Sequence, residues 1–419
     1  MGGPLATPVV PGGNGRPAAR RRVAVFTGNY DLVIDGVALI LNRLVTHLES
    51  IGYEVMVFAP TGTTPALDHA GTLVSIGSIP APGWPGYRMT FGVSRRARAR
   101  LESFRPDLIH IATPDFLGWS ALRFARKRGI PVVASYHTHF PWYLRFHRLA
   151  MIEPLVHALL RRFYGRCTHI YVASESIARV LETFGLGDRL RMWEGGVDPV
   201  RFGPHQRSMA WRARHGLEPA DTVVTFVGRL AKEKGLDTLV QVIRTLEARG
   251  VKHRSMMVGA GPAMDAVRAR LPNTVFTGFL TGDDLAAAFA SSDMLLFPGD
   301  IETFGMVTLE AMASGLPAVC ADATGSKSLV EDGVTGLLAP VGDVAAFADH
   351  CTRLVEDAPL RQAMGSTARK RAVGYEWSIV MRRIASHYDS ILRPRTDPIP
   401  AAPDPDLPPI PSRTSATRR

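Results

Sequence analysis

Short β-branched runs alternate with amphipathic helical stretches along nearly the whole chain, and that alternation restricts it to parallel sheets with helices packed on both faces. Strands are expected at 22–26, 54–59, 107–111, 131–135 and 169–173, and again at 222–227, 255–258, 274–277, 294–298 and 318–321. Helices fit between them at 37–51, 118–128, 236–249 and 283–290, where apolar residues recur every three or four positions. The pattern restarts after 194–205 (EGGVDPVRFGPH), a Gly- and Pro-rich stretch of linker character. At 419 residues the chain also exceeds what one hydrophobic core usually serves. The expected architecture is therefore α/β, with two Rossmann-like domains at 21–205 and 206–379 and a closing helix at 380–392. Residues 1–20 and the Pro-rich 393–419 are expected to be disordered. Ligands of such sheets sit beyond the carboxyl ends of the strands, so the cleft between the domains is where an active site belongs.

Charge divides the two halves. Residues 21–205 hold 22 basic and 14 acidic side chains, whereas 206–379 hold 18 and 20. A basic half beside a slightly acidic one suits contact with something anionic. Nucleic acid is not the expected partner, because no helix-turn-helix, zinc-finger or RNP pattern occurs. The cytoplasmic leaflet of a membrane is the better candidate. No run approaches the roughly 18 apolar residues of a spanning helix. Residues 1–20 lack the basic start and apolar stretch of an export signal, so a cytoplasmic location is expected. Cys167, Cys320 and Cys351 are far apart and odd in number, which reads as buried thiols rather than a metal cluster or disulfides.

Two segments carry the chemistry. In 298–321 (PGDIETFGMVTLEAMASGLPAVCA) a strand runs into a loop with Asp300 and Glu302, then into a helix from about Gly305 that carries Glu310. Two acids at this spacing are ordinarily solvated helix-end residues. Here the glycine at the helix entry and the Ser-Gly-Leu-Pro turn into another apolar strand set them at a strand-to-helix junction. A carboxylate there can accept hydrogen bonds from both vicinal hydroxyls of a ribose, and the second acid, eight residues earlier, would lie near what the nucleotide carries. In 227–240 (VGRLAKEKGLDTLV), Arg229 and Lys234 sit in a loop entering a helix. Two cations beside a helix N-terminus suit a diphosphate.

Gly-Arg-Leu-x-x-Glu-Lys-Gly, Val-Gly-x-Gly-Pro (258–262) and Glu-x7-Glu together resemble the retaining family 4 glycosyltransferases of the GT-B fold, over about residues 22–392. The blocks 190–204 (LRMWEGGVDPVRFGP) and 135–139 (SYHTH) are most similar to the branch of sulfolipid synthases and GDP-mannose-dependent glycolipid mannosyltransferases. The resemblance implies that Arg229 and Lys234 bind the donor diphosphate and stabilise its leaving charge. It implies that Glu310 holds the ribose and that Glu302 contacts the transferred sugar, aided by backbone amides near Thr303, Phe304 and Gly305. His137 would reach the donor sugar from the first domain, with His139 a neighbour of undefined role. Gly36 would let backbone approach the donor phosphates. Gly259 and Gly261 would shape the same cleft, and 277–280, with Phe279, would lie along the base. No Asp-x-Asp metal motif follows a strand, so neither metal nor cofactor is expected beyond the nucleotide sugar.

The acceptor is less defined. Arg95, Arg96, Arg98 and Arg100 (SRRARAR), and 145–166 with its interleaved cations and apolar residues, suit shallow binding to an anionic leaflet and hence a lipid or lipid-linked acceptor. GDP-mannose is the first expectation for the donor. A UDP-sugar donor (glucose, glucuronic acid or sulfoquinovose), a polysaccharide-intermediate acceptor and an epimerase are the alternatives. ATGSKS (323–328) departs from the Gly-Gly-Pro turn of many relatives, and Lys327 could there meet a phosphate or acidic sugar.

Overall fold

A computed structural model describes residues 20–33, 35–62, 64–81, 86–136, 151 and 153–393. The first sheet runs β3-β2-β1-β6-β7-β8-β9, all neighbours parallel. Its strands are β1 (Arg22–Phe26), β2 (Glu54–Ala59), β3 (Thr72–Ser75), β6 (Leu108–Ile111), β7 (Val132–Tyr136), β8 (His169–Val172) and β9 (Leu190–Met192). A small antiparallel pair, β4 (Ser78–Pro80) and β5 (Arg88–Thr90), stands apart from it. The helices of this half are α1 (Gly36–Ser50), α2 (Arg95–Phe104), α3 (Phe116–Arg128), α4 (Glu153–Tyr164) and α5 (Glu175–Glu182).

The second sheet runs β12-β11-β10-β13-β14-β15, again parallel. Its strands are β10 (Val223–Val227), β11 (Arg254–Val258), β12 (Val275–Gly278), β13 (Met294–Phe297), β14 (Ala318–Ala321) and β15 (Gly336–Ala339). Around it lie α6 (Met209–Arg214), α7 (Leu236–Ala248), α8 (Met264–Arg270), α9 (Gly282–Ala290), α10 (Met306–Ala313), α11 (Thr324–Leu329), α12 (Val344–Glu356) and α13 (Ala358–Val373). The last helix, α14 (Trp377–Leu392), belongs to the first sheet.

Buried side chains separate into one core for the second sheet and two for the first, one on each of its faces. α2, α3, α4 and α5 cover one face of the first sheet, while α1 and α14 cover the other. α14 docks through Val380, Met381, Ile384, Ala385 and Tyr388, all buried. Its Tyr388 hydroxyl meets His110 Nδ1 at 2.5 Å, and His110 Nε2 meets Ser135 Oγ at 2.6 Å. The linker turns back on itself here. Val197 pairs with Glu376, and a Cβ on Gly196 would lie 2.5 Å from the Trp377 ring. Bare backbone is therefore required where the chain crosses between the two halves. Cys167, Cys320 and Cys351 are buried free thiols, and burial pushes each up to about 12.

Candidate functional site

In the second sheet the strand order reverses between β10 and β13, and both strands deliver loops from their carboxyl ends, the place where such sheets hold ligands. The loop after β10 carries Arg229, a 3-10 turn (Lys232–Lys234) and Gly235, which caps α7 at φ 70°. The loop after β13 carries Glu302 and ends at Gly305, which caps α10 at φ 97°. The two loops touch through bare backbone: a Cβ on Gly235 would stand 2.8 Å from the Pro298 carbonyl and 3.0 Å from the Gly299 nitrogen. Lys234 Nζ then donates to Glu302 Oε1, with 24% and 19% of the two side chains exposed. The ammonium also lies 5.8 Å from the centre of the Phe297 ring. Arg229 is exposed and forms no ion pair among the described residues. The sequence placed Lys234 on a diphosphate and Glu302 on a sugar. The fold brings the two side chains to each other.

Glu310 stands in the second turn of α10, half-buried, with no hydrogen-bond donor to its carboxylate among the described residues. Desolvation pushes its pKa from 4.5 up to about 7. The native state therefore holds a proton that the unfolded chain has released. The stabilisation from the neutral form is complete below pH 4.5 and is lost as the pH rises toward about 7. Glu310→Gln is expected to raise the melting temperature above pH 7 and to leave it unchanged below pH 4.5. Melting curves across that window check this, and a Gln variant that follows the native pH profile would refute it.

The glycine pair is tightly fitted. A Cβ on Gly259 would lie 2.0 Å from the Gly228 carbonyl oxygen, and one on Gly261 would lie 2.3 Å from that of Leu230. Gly228 N donates to Val258 O and Leu230 N to Ala260 O, both at 3.0 Å, so the ends of β10 and β11 are stitched together backbone to backbone. Gly36 begins α1 in the first half with nothing within 4 Å of its added Cβ, and Asp35 caps that helix by accepting from Ala38 N at 2.8 Å. Phe279, just past β12, is 76% exposed. Thr303 is half-buried, while the Phe304 ring is buried beside Tyr375, 5.9 Å between centroids. Phe304 therefore presents backbone rather than a side chain to the loop. His137 and His139 lie outside the described residues. Lys327 is exposed and pairs with Asp322 at 2.8 Å.

Two glycines that sequence reasoning did not single out fix the Glu302 loop. A Cβ on Gly325 would lie 2.8 Å from the Glu302 carbonyl oxygen and 2.7 Å from the Phe304 carbonyl carbon. A Cβ on Gly195, in the linker, would lie 2.4 Å from Met306 Sδ and 2.5 Å from the Phe304 ring. The signal for Gly325 was present in ATGSKS, where one glycine survives of the expected pair. Gly195 stands in the linker glycine pair, whose contact partner is more than a hundred residues away.

Residues 34–201 match the family model Glycosyltransferase Family 4, and residues 208–371 match Glycosyl transferases group 1. A GDP-mannose-dependent alpha-mannosyltransferase of Mycobacterium tuberculosis is 34% identical over 382 residues, spanning 90% of this chain and 98% of the relative. The sulfoquinovosyl transferase of Arabidopsis thaliana is 30% identical over 373 residues, spanning 87% and 72%. Among solved structures, sucrose-phosphate synthase from Thermosynechococcus elongatus superposes with a TM-score of 0.74 at 19% identity, over 89% of this chain and 99% of that one. This last likeness speaks for the fold, two parallel-sheet domains of the GT-B type. With its interlocked β10 and β13 loops and full-length relatives, the chain belongs to the family 4 glycosyltransferases, which draw on nucleotide sugars.

Proposed function

We propose that the chain transfers a hexose, mannose from GDP-mannose as the first candidate, to a membrane lipid or lipid-linked acceptor, with retention at the anomeric carbon and without a metal. The observation that carries this reading is the meeting of Lys234 and Glu302 at the switch point, which sets a cation and a carboxylate at one end of the β10–β13 cleft. Arg229 and Lys234 take the diphosphate and, with the α7 helix end, stabilise charge on the leaving group. Glu302 is then handed from Lys234 to the hydroxyls of the transferred sugar. Glu310 accepts from the ribose hydroxyls, and the exposed Phe279 ring lies along the base. His137 is assigned to the transferred sugar, as the family resemblance implies. The acceptor hydroxyl attacks the anomeric carbon from the face that the leaving phosphate departs, and that phosphate takes the acceptor's proton, so no separate base is required. The working location is the cytoplasm, in peripheral contact with the anionic face of a membrane.

The GDP-mannose choice is supported by the mycobacterial relative at 34% identity, a GDP-mannose-dependent alpha-mannosyltransferase. A thermal-shift and hydrolysis screen against GDP-, UDP- and ADP-sugars tests it, because a ligand that binds only the native state raises stability by about 2.7 kcal/mol at a hundred times its Kd. GDP-mannose is expected to give the largest shift. A larger shift with UDP-glucose or a UDP-linked acidic sugar overturns the donor assignment, and free epimer without transfer overturns the transferase reading. Ribose hydroxyls donate only to an acceptor, so they favour ionised Glu310. Donor KM is accordingly expected to fall as the pH rises through about 7, and Glu310→Gln to flatten that profile.

A further inference from the structure

Where the chain passes between the domains, successive linker residues face opposite halves. Glu194 Oε2 accepts from Arg383 Nη1 of α14 at 2.5 Å. Gly196 lies against the Trp377 ring, and the Arg43 guanidinium of α1 stands 4.7 Å from the centre of that ring. These contacts tie the linker to the first domain. Gly195, between them, faces the second domain and abuts the Phe304 ring and Met306 Sδ. Val197 N donates to Tyr375 O at 2.8 Å and Trp377 N to Val197 O at 3.2 Å, so the outgoing and returning segments hold each other.

Gly195 is not among the glycines with positive φ, so its backbone conformation does not call for one. The ring does. A Cβ at 195 would stand 2.5 Å from Phe304 Cδ1 and 2.7 Å from Cε1. Phe304 is buried, and its ring has Tyr375 as a further neighbour, 5.9 Å between centroids. Phe304 also borders a hollow of about 280 Å³ that opens between Ser174 of the first domain and Lys327 of the second. A close-packed surround resists displacement of a ring, whereas a hollow beside it admits one. The place of this ring therefore depends on the glycine contact. Glu302 stands two residues earlier in the same loop, with the Glu302 carbonyl oxygen and the Phe304 carbonyl carbon both resting on Gly325.

We infer that Phe304 is a positioning residue: its ring, held between Gly195 and Tyr375, sets where the Glu302 carboxylate stands for the transferred sugar. This rests on the sugar-side role of Glu302 proposed above. It makes the placement of a second-domain acid depend on a contact with the linker. Arg229 and Lys234 are carried by a different loop, the one after β10. The contact therefore governs the sugar step and leaves diphosphate binding alone.

Ordinary carbon contact is about 3.5 Å, so a methyl at 195 requires the ring to withdraw by about 1 Å. A displacement of that size in a reacting constellation costs about 100-fold. Gly195→Ala is accordingly expected to lower kcat by roughly 30- to 100-fold, with the Kd of the bare nucleoside diphosphate within about twofold of native. Phe304→Leu, which loosens the loop without a clash, is expected to lose about tenfold in kcat. In the double variant the methyl takes space that the ring has left, so its kcat should match Phe304→Leu alone rather than fall by the product. The assay uses the nucleotide sugar that gives the largest thermal shift, GDP-mannose first, against its own diphosphate, with Glu302→Gln run alongside. A normal rate for Glu302→Gln removes the sugar-side assignment and the inference with it. An impaired Glu302→Gln beside a native-like Gly195→Ala, multiplied effects in the double variant, or an equal loss of affinity for the bare diphosphate overturns the inference alone. Should Gly195→Ala fail to fold, the double variant decides: folding and turnover like Phe304→Leu support the ring contact, and a second failure to fold overturns it.

Discussion

Lys234→Ala is expected to lose about two to three orders of magnitude in kcat while melting within a few degrees of the native chain. The two halves of that expectation have different physical origins. The Lys234–Glu302 pair is mostly buried, with about a fifth of each side chain in water, and removing the ammonium leaves a partly hydrated carboxylate, a cost of a few degrees in a chain of this size. Turnover is another matter. When the bond to the diphosphate breaks, negative charge grows on the leaving oxygen, and a preorganised ammonium there is worth far more to the transition state than to the resting enzyme. The loss should fall mainly on kcat. Steady-state rates against nucleotide-sugar concentration, with melting curves on the same preparations, separate these cases. Near-native turnover, or a loss confined to KM, removes Lys234 from the proposed role. Arg229→Ala is expected to cost a comparable factor, since that side chain has no structural partner among the described residues.

Gly259→Ala and Gly261→Ala are expected to be among the most damaging single-methyl additions in the second domain. The new Cβ atoms would sit 2.0 and 2.3 Å from carbonyl oxygens of Gly228 and Leu230, inside any permitted contact, and what they meet is backbone held in the β10–β11 stitching. Gly259 adds a φ of 139°, which L-residues rarely adopt. Overpacking and backbone strain together should cost about 4 kcal/mol, a large part of the ~5–15 kcal/mol that holds a typical protein folded. Denaturant midpoints and soluble yield measure it. Gly36→Ala is the control: its Cβ meets nothing within 4 Å, and alanine favours the first turn of a helix. That variant should melt as the native chain does and bind donor more weakly. Native-like stability for Gly261→Ala would show that the β10 and β11 ends can part at little cost.

How much of this was visible in the chain depends on how local each cause is. β1, β2 and β14 fall where their apolar runs put them, because parallel strands covered on both faces are continuous in hydrophobicity. β3, β9 and β15 escaped. The first two are half-exposed edge strands with mixed composition, and Gly336 disguises β15 as a turn. The acids and cations of the site were legible as types at spacings. Their pairing was not, since Lys234 and Glu302 are 68 positions apart and meet only through the contact of Gly235 with Pro298. Gly259 and Gly261 looked like ordinary turn glycines until the distances across to β10 appeared.

The docking of α14 onto the first sheet bears on how the chain is made. The first domain's strands leave the ribosome early, yet the face covered by Val380, Ile384 and Tyr388 stays bare until the last helix has been synthesised. His110, buried in the finished molecule, has no Tyr388 to meet during that interval. The second domain owes nothing to this late arrival and can close its own core first. Vectorial synthesis therefore inverts the expected order, with the part translated first completed last. A growing chain of this kind carries an apolar sheet face shielded by α1 alone through most of its translation, and that is the stage at which a chaperone has most to protect.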